Sequence, residues 1–414
     1  MDLLRFFTAG SVDDGKSTLI GRLLFDSHSI STDIIETLTK QSKNIKDDNA
    51  FNLALLTDGL RAEREQGITI DVAYKYFTTS KRKFIIADTP GHVQYTRNMF
   101  TGASLAHLAL LLIDARHGIT EQTKRHAVIS SILRIPNVLV CVNKMDLINY
   151  SEHKFNDIKD EFIKFSNPLN LSNITFIPMS ALLGENVVTQ SSKLEWYKEK
   201  SLLDYLETVG INPSQELLSS RFQVQYIIRP ETNVLHDYRG YAGKVLSGKY
   251  YVGQKVKIFP GNYDTEITCI EMNQQNVTEA CANSSVILHL KDAIDVSRGS
   301  SIIPINELPN ISNEFTATLC WMDDSSFVKG QKFYLQQNSY RTKAVIKEIV
   351  HKINIHSFTP IEGESNIQLN DICKVVIKTA ESVCYDKFTE NRNNGSFILI
   401  NENTHNTVAA GVIE

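Results

Sequence analysis

Cysteine is scarce in this 414-residue chain and follows no pattern. The 6 cysteines, Cys141, Cys269, Cys281, Cys320, Cys373 and Cys384, show no C-x-x-C spacing, so neither a zinc site nor a disulfide framework is indicated. Cys141 lies in the apolar run VLVCV and is expected as a small buried packing group. Long apolar runs are also missing: LALLLI, Leu108 to Ile113, is far shorter than the ~20 residues of a membrane-spanning helix. The opening MDLLRFFTAG lacks the apolar length and cleavage region of a secretory signal. The expected compartment is therefore the cytoplasm, with no membrane partner. Charge of one sign is lacking too. Lys and Arg total 43 against 47 Asp and Glu, and the net charge of −4 gives no bulk attraction to nucleic acid or anionic lipid. The basic run KRK, Lys81 to Lys83, reads as a solvated turn. No internal repeat or low-complexity segment stands out.

With 42% hydrophobic and 22% charged residues, the chain can bury a core in each of roughly two to four domains. The first half alternates short apolar runs (RFFTAG, KFIIAD, LALLLID, NVLVCVN, ITFIPMS) with helical spacing such as EQTKRHAVISSIL and SEHKFNDIKDEFIKF. Continuous apolar strands joined by helices predict a doubly wound, mostly parallel α/β domain, over residues 1–213. From RFQVQYIIRP onward, short strands alternate with glycine turns, as in RGYAGKVLSGKYYVGQKVKIFPGN. A break at ELPNISN, Glu307 to Asn313, divides this half into two small all-β barrels or sandwiches, 214–306 and 307–414.

Gly10-Ser11-Val12-Asp13-Asp14-Gly15-Lys16-Ser17 fits G-x-x-x-x-G-K-[ST] between a strand and the helix STLIGRLLF, the context a phosphate loop requires. Its glycines let backbone N–H groups turn toward phosphate oxygens, and the helix N-terminus adds its positive end. Lys16 would reach the β- and γ-phosphates, and the Ser17 hydroxyl would ligate Mg2+. Asp88-Thr89-Pro90-Gly91 follows KFIIA; its acid can hold the metal through water while the Gly91 amide faces the γ-phosphate. Asn143-Lys144-Met145-Asp146 follows NVLVCV, and a carboxylate there accepts both N1–H and N2–H2 of guanine. Ser180-Ala181 would place a backbone N–H near guanine O6. All four motifs sit at carboxyl ends of parallel strands, where open α/β sheets bind ligands. Together they indicate a guanine-nucleotide-binding domain. Thr69, in GITI, is expected to cap the metal and γ-phosphate as an ordered switch does. His92 is placed to orient the attacking water, because hydrolysis needs positioning more than covalent chemistry. His117 and His126, away from any motif, read as structural.

The stretches GSVDDGKSTLIGRLLFD, LLTDGLRAEREQGITIDVAYKYF, FIIADTPGHVQYTRNM and NKMDL, with YRGYAGKVLSG, DVSRGS, NRNNGSFILI and TVAAGVIE, resemble the sulfate adenylyltransferase subunit 1 family. Its members are the GTPase subunits of assimilatory ATP sulfurylase, and the likeness covers essentially the whole chain. The resemblance implies an elongation-factor-like fold, a G domain followed by two β-barrels. It also implies a small partner subunit of the adenine-nucleotide α-hydrolase type. That partner would join ATP and sulfate into adenosine 5′-phosphosulfate and pyrophosphate, driven by GTP hydrolysis on this chain. No H-x-G-H, S-G-G-x-D-S or second phosphate loop occurs here, so neither adenylyl transfer nor a fused kinase is expected of this chain. Elongation factors usually read G-H-V-D-H-G-K-[ST], whereas Ser11 and Asp14 replace both histidines. Val93 stands where relatives commonly carry glutamate. A translation factor carrying aminoacyl-tRNA and a GTP-dependent assembly module without turnover remain the alternatives.

The two aspartates pose an electrostatic problem. A carboxylate about 5 Å from a phosphate charge costs roughly 3 kcal/mol at an effective dielectric of about 20. Asp13 is expected to face the switches and share a cation or backbone N–H groups. Asp14 is expected to lean away from the phosphates, toward Arg61 or Arg64.

Overall fold

The computed structural model describes residues 2–27, 71–90, 96–211, 215–230, 238–354, 359–363 and 366–414. Thr69, Gly91, His92 and Val93, with Arg61 and Arg64, lie outside the described residues. Two compact units result: Met1–Asn212 with Ile355–Thr359, and Pro213–Asn354 with Pro360–Glu414.

The first unit is built on β1 (Leu3–Ala9), β2 (Ala73–Thr78), β3 (Lys83–Asp88), β4 (Leu108–Asp114), β5 (Asn137–Asn143) and β6 (Ile174–Pro178). Their order is β2-β3-β1-β4-β5-β6, parallel except for the β2–β3 pair. Every residue of β4 and β5 is buried, as expected of central strands covered on both faces. Its described helices are α1 (Lys16–Asp26), α2 (Thr96–Ala103), α3 (Glu121–Ile132), α4 (Glu152–Ser166) and α5 (Leu202–Thr208). Thr120 caps α3 in a reciprocal box with Thr123, and Ser151 caps α4 by accepting from the Lys154 amide. Under α4, Phe162 packs edge-on against Phe176 at 5.7 Å; truncating either ring would cost about 3–5 kcal/mol.

The strand β2 was not read from sequence. AYKYFT alternates exposed residues with half-buried ones and the buried Phe77 at the sheet edge, with Tyr76 66% exposed, and so lacks the continuous apolar run that marks the central strands. The run at 81–83 also needs correction. Lys81 is exposed, but Arg82 is buried, donating to both oxygens of Asp2 and to the carbonyls of Leu206 and Val209. It ties α5 to the edge of the sheet rather than lying in solvent. Cys141 is fully buried, and burial pushes its thiol up.

The second unit holds two antiparallel barrels. Arg221–Ile228, Gly240–Ser247, Lys255–Phe259, Tyr263–Met272, Ser285–Leu290 and Ser301–Pro304 form the first, closed by pairing of Lys255–Phe259 with Tyr263–Met272. Asn310–Trp321, Lys332–Gln337, Tyr340–Ile353, Ile372–Tyr385, Ser396–Asn401 and Thr407–Ile413 form the other, closed by Lys332–Gln337 against Tyr340–Ile353. Closure removes the exposed strand edges. Phe222 and Tyr250 anchor one core, and Trp321 and Phe333 the other. Between the barrels, Arg221 grips Asp386 through two hydrogen bonds of 2.7 and 2.8 Å, both side chains buried. Asn394 donates to the same carboxylate, and Asn391 crosses to Ser247. Among the described residues no helix is long and apolar enough to cross a membrane.

Candidate nucleotide-binding site

The strand β1 delivers the chain to Gly10, and α1 starts at Lys16, so residues 10–15 must turn within one short loop. Gly15 makes that turn at φ 95°, and a Cβ there would stand 2.5 Å from Asn143 Nδ2, so glycine is required both by conformation and by space. Lys16 is buried and folds its Nζ back onto the carbonyls of Gly10 at 2.7 Å and Ser11 at 3.1 Å. Burial pushes its pKa down, while the carboxylates of Asp88, Asp14 and Asp13 oppose that shift. Ser17 is half-buried and Val12 exposed.

Asp14 does not lean outward. It is only 5% exposed, and its Oδ2 accepts the Ser11 amide at 2.5 Å, closing the loop on itself. Burial pushes its carboxyl up to about 6, against the pull of the Ser11 amide and the Lys16 ammonium. Asp13 is the exposed member of the pair, at φ 70°. Charge repulsion on paper predicted the reverse. An unused backbone N–H inside the loop outweighs it, because a buried carboxylate needs such a donor.

Asp88 ends β3 buried, its Oδ1 accepting from Thr8 Oγ1 at 3.1 Å. Thr89 is buried with its hydroxyl on the Thr8 carbonyl at 2.6 Å, and Pro90 is buried beside it. These bonds fix the strand end and aim Asp88 toward the loop.

Asn143 ends β5 and joins three segments. Its Nδ2 donates to the Asp14 carbonyl at 2.7 Å, and its Oδ1 accepts the Ala181 amide at 2.9 Å. Lys144, at φ 62°, donates through Nζ to the Asp13 carbonyl. Met145 is fully buried, its amide on the Met179 carbonyl at 3.1 Å. Asp146 Oδ1 is shielded from solvent and has no hydrogen-bond partner, which leaves an acceptor open to a donor. The Ser180 amide is bound to the Glu185 carbonyl at 3.1 Å. With the Ala181 amide on Asn143, a backbone N–H for guanine O6 from this pair has to displace one of those bonds.

His126 is buried in α3 and has no partner on Nδ1. Burial, reinforced by the Lys16 charge, pushes its imidazole down to about 3, so it packs as a neutral ring.

Sequence reasoning missed Asp114, Arg116 and Thr120. Asp114 ends β4 as Asp88 ends β3 and Asn143 ends β5; the polar residue closing an apolar run was the available signal. Its buried carboxylate takes Arg116 in a fork at 2.7 and 3.0 Å and Lys144 Nζ at 3.0 Å. Burial raises its pKa, but the Arg116 and Lys144 hydrogen bonds win and hold it well below the usual carboxylate range.

Residues 1–220 match the elongation factor Tu GTP binding domain family, and residues 314–414 match the GTP-eEF1A C-terminal domain-like family. Sulfate adenylyltransferase subunit 1 of Bacteroides fragilis is 46% identical, over 100% of this chain and 86% of that protein. The corresponding subunit of Aliarcobacter butzleri is 44% identical, over 99% and 87%. The bifunctional enzyme CysN/CysC of Mycobacterium tuberculosis is 47% identical, over 99% of this chain and 67% of its own length. Among solved structures, the S. cerevisiae Ski7 GTPase-like domain, bound to GTP, shares the fold at a TM-score of 0.53 and 18% identity, over 100% of this chain and 97% of that one. On this evidence the chain belongs to the sulfate adenylyltransferase subunit 1 family, whose nucleotide domain is of the elongation factor Tu GTP-binding type.

Proposed function

We propose that this chain is the GTP-hydrolysing subunit of a sulfate adenylyltransferase. The observation that carries the reading is the partnerless, shielded Asp146 Oδ1 in a loop that Asn143 and Lys144 lash to the phosphate loop. An acceptor held ready there matches the N–H edge of guanine, and adenine has no equivalent donor pair.

In this reading the amides of residues 10–17 surround the phosphates, and Lys16 moves from the Gly10 and Ser11 carbonyls to the β- and γ-oxygens. Mg2+ fits the donors present. Ser17 and Asp88 offer oxygen ligands, Asp88 is oriented by Thr8, and among the described residues no group of three His, Cys, Asp or Glu forms a cage of its own. That is the set expected where the ion shares its coordination with phosphates and water, and bound there it offsets charge developing on the transferred phosphoryl group. Thr69, for the metal and γ-phosphate, and His92, for the attacking water, are roles that this reading assigns to residues outside the described ones.

GTP hydrolysis would then drive an uphill neighbour reaction: ATP and sulfate joined into adenosine 5′-phosphosulfate and pyrophosphate on a small subunit of the adenine-nucleotide α-hydrolase type. The domains of this reading are 1–213, 214–306 and 307–414. Its setting is the cytoplasm, with no nucleic acid or membrane partner. The test is co-purification with the small subunit and assay of pyrophosphate release from ATP and sulfate. Release that requires GTP supports the reading; release indifferent to GTP ends it.

A further inference from the structure

The connection from β4 to α3, residues 114–120, belongs to none of the nucleotide motifs, yet it touches both loops that do. At one end the Asp114 carboxylate holds Lys144 Nζ at 3.0 Å, and that same ammonium reaches the Asp13 carbonyl in the phosphate loop. At the other end the Thr120 hydroxyl meets the Ser11 hydroxyl at 2.8 Å. Thr120 is rigid in its own right, as the N-cap of α3 with reciprocal bonds to Thr123. Arg116 fills the remaining lone pairs of Asp114, so the carboxylate is fully satisfied and its direction fixed.

We infer that Asp114 is a positioning residue for guanine-nucleotide binding, which, with the Thr120–Ser11 contact, braces the base-reading loop against the phosphate loop. The inference rests on the nucleotide site proposed above. Lys144 sits at a positive φ, uncommon for lysine, and the Asp114 carboxylate fixes where its ammonium lies. Without it the ammonium is released toward solvent, and the two loops lose a shared anchor while each keeps its own ligand atoms. The loss should therefore appear in nucleotide dissociation, equally for GDP and GTP, because the brace senses the nucleoside and β-phosphate end rather than the scissile bond.

The experiment uses the full chain with Mg2+ and fluorescent GDP and GTP, following dissociation by stopped flow. Asp114→Asn keeps the shape and the Arg116 amide acceptor but removes the charge; dissociation of both nucleotides should quicken about tenfold. Ser11→Ala, which leaves the Ser11 amide in place, should quicken it about threefold. In a Lys144→Met background, Asp114→Asn should add almost nothing, since its effect runs through that ammonium. Melting of each variant separates positioning from folding. A natively melting Asp114→Asn chain with unchanged dissociation overturns the inference, and so does an undiminished effect in the Lys144→Met background. Should Asp114→Asn fail to fold, Ser11→Ala with wild-type dissociation overturns it. A wild-type chain that binds no guanine nucleotide would remove the proposed site itself, and the inference with it.

Discussion

Asn143 Nδ2 lies 2.7 Å from the carbonyl oxygen of Asp14 and occupies the space a side chain at Gly15 would need. One amide thus ties residues 10–15 to the end of β5, the loops proposed to take phosphate and to read the base. Replacing Gly15 by alanine should break both at once: the positive φ becomes strained, and the new methyl collides with Asn143. Affinity for GTP should fall by on the order of 100-fold. Calorimetric titration of Gly15→Ala checks this, and wild-type affinity would show that the loops are not so joined.

Asp14 carries a pH prediction. Its carboxyl is pushed up to about 6 in the folded chain, above the ordinary value near 4 of an unfolded one. The native state therefore holds the proton more tightly, and Asp14's contribution to stability declines as pH rises from about 4 through 6. Above that window the ionised, buried group is a constant penalty of ~3 kcal/mol. Asp14→Asn keeps an acceptor for the Ser11 amide and removes the charge. At pH 7.5 it should raise the urea midpoint of the first unit and tighten GTP binding. The gain should shrink as pH falls through 6 and be nearly gone at pH 4. A gain that does not change with pH would place the carboxylate in water.

Lys16 is buried among carbonyls and carboxylates, with its ammonium folded into the loop against the Gly10 and Ser11 carbonyls. Lys16→Ala should lower GTP hydrolysis by on the order of 1,000-fold with the barrels melting as before. Turnover within a few-fold of wild type in a phosphate-release assay would remove Lys16 from the chemistry.

The seam between the barrels depends on Arg221 and Asp386, buried and doubly bonded. Asp386→Ala leaves the guanidinium uncompensated and strands Asn394 as well. It should destabilise the second unit by about 3–5 kcal/mol, seen as a lower unfolding midpoint by tryptophan fluorescence, since Trp321 is fully buried in that unit. A midpoint shift near zero would mean the seam is held by other contacts.

Much of the proposed nucleotide site is legible in the sequence because its motifs close apolar runs. Each run reads as a central strand, and a strand end is where a doubly wound sheet exposes backbone and side chains to ligand. The same rule, applied to Asp114 at the end of LALLLID, marks the carboxylate inferred to brace the two loops. Other features could not be read in one dimension. Asp14 turns inward because of a backbone N–H three residues away, which charge counting ignores. Arg82 looked solvated in KRK until α5 brought two carbonyls to it. The Arg221–Asp386 pair joins positions 165 apart, with no local signal in either segment.

Guanine selection through Asp146, whose Oδ1 is shielded and partnerless, is what the proposed function stands on. Its most direct test is an equilibrium competition among GTP, ATP and xanthosine triphosphate on the wild-type chain and on Asp146→Asn. GTP should win on the wild type and xanthosine triphosphate should overtake it on the variant, as the donor–acceptor pattern reverses. ATP binding as well as GTP on the wild type, or an unchanged order on the variant, would contradict it.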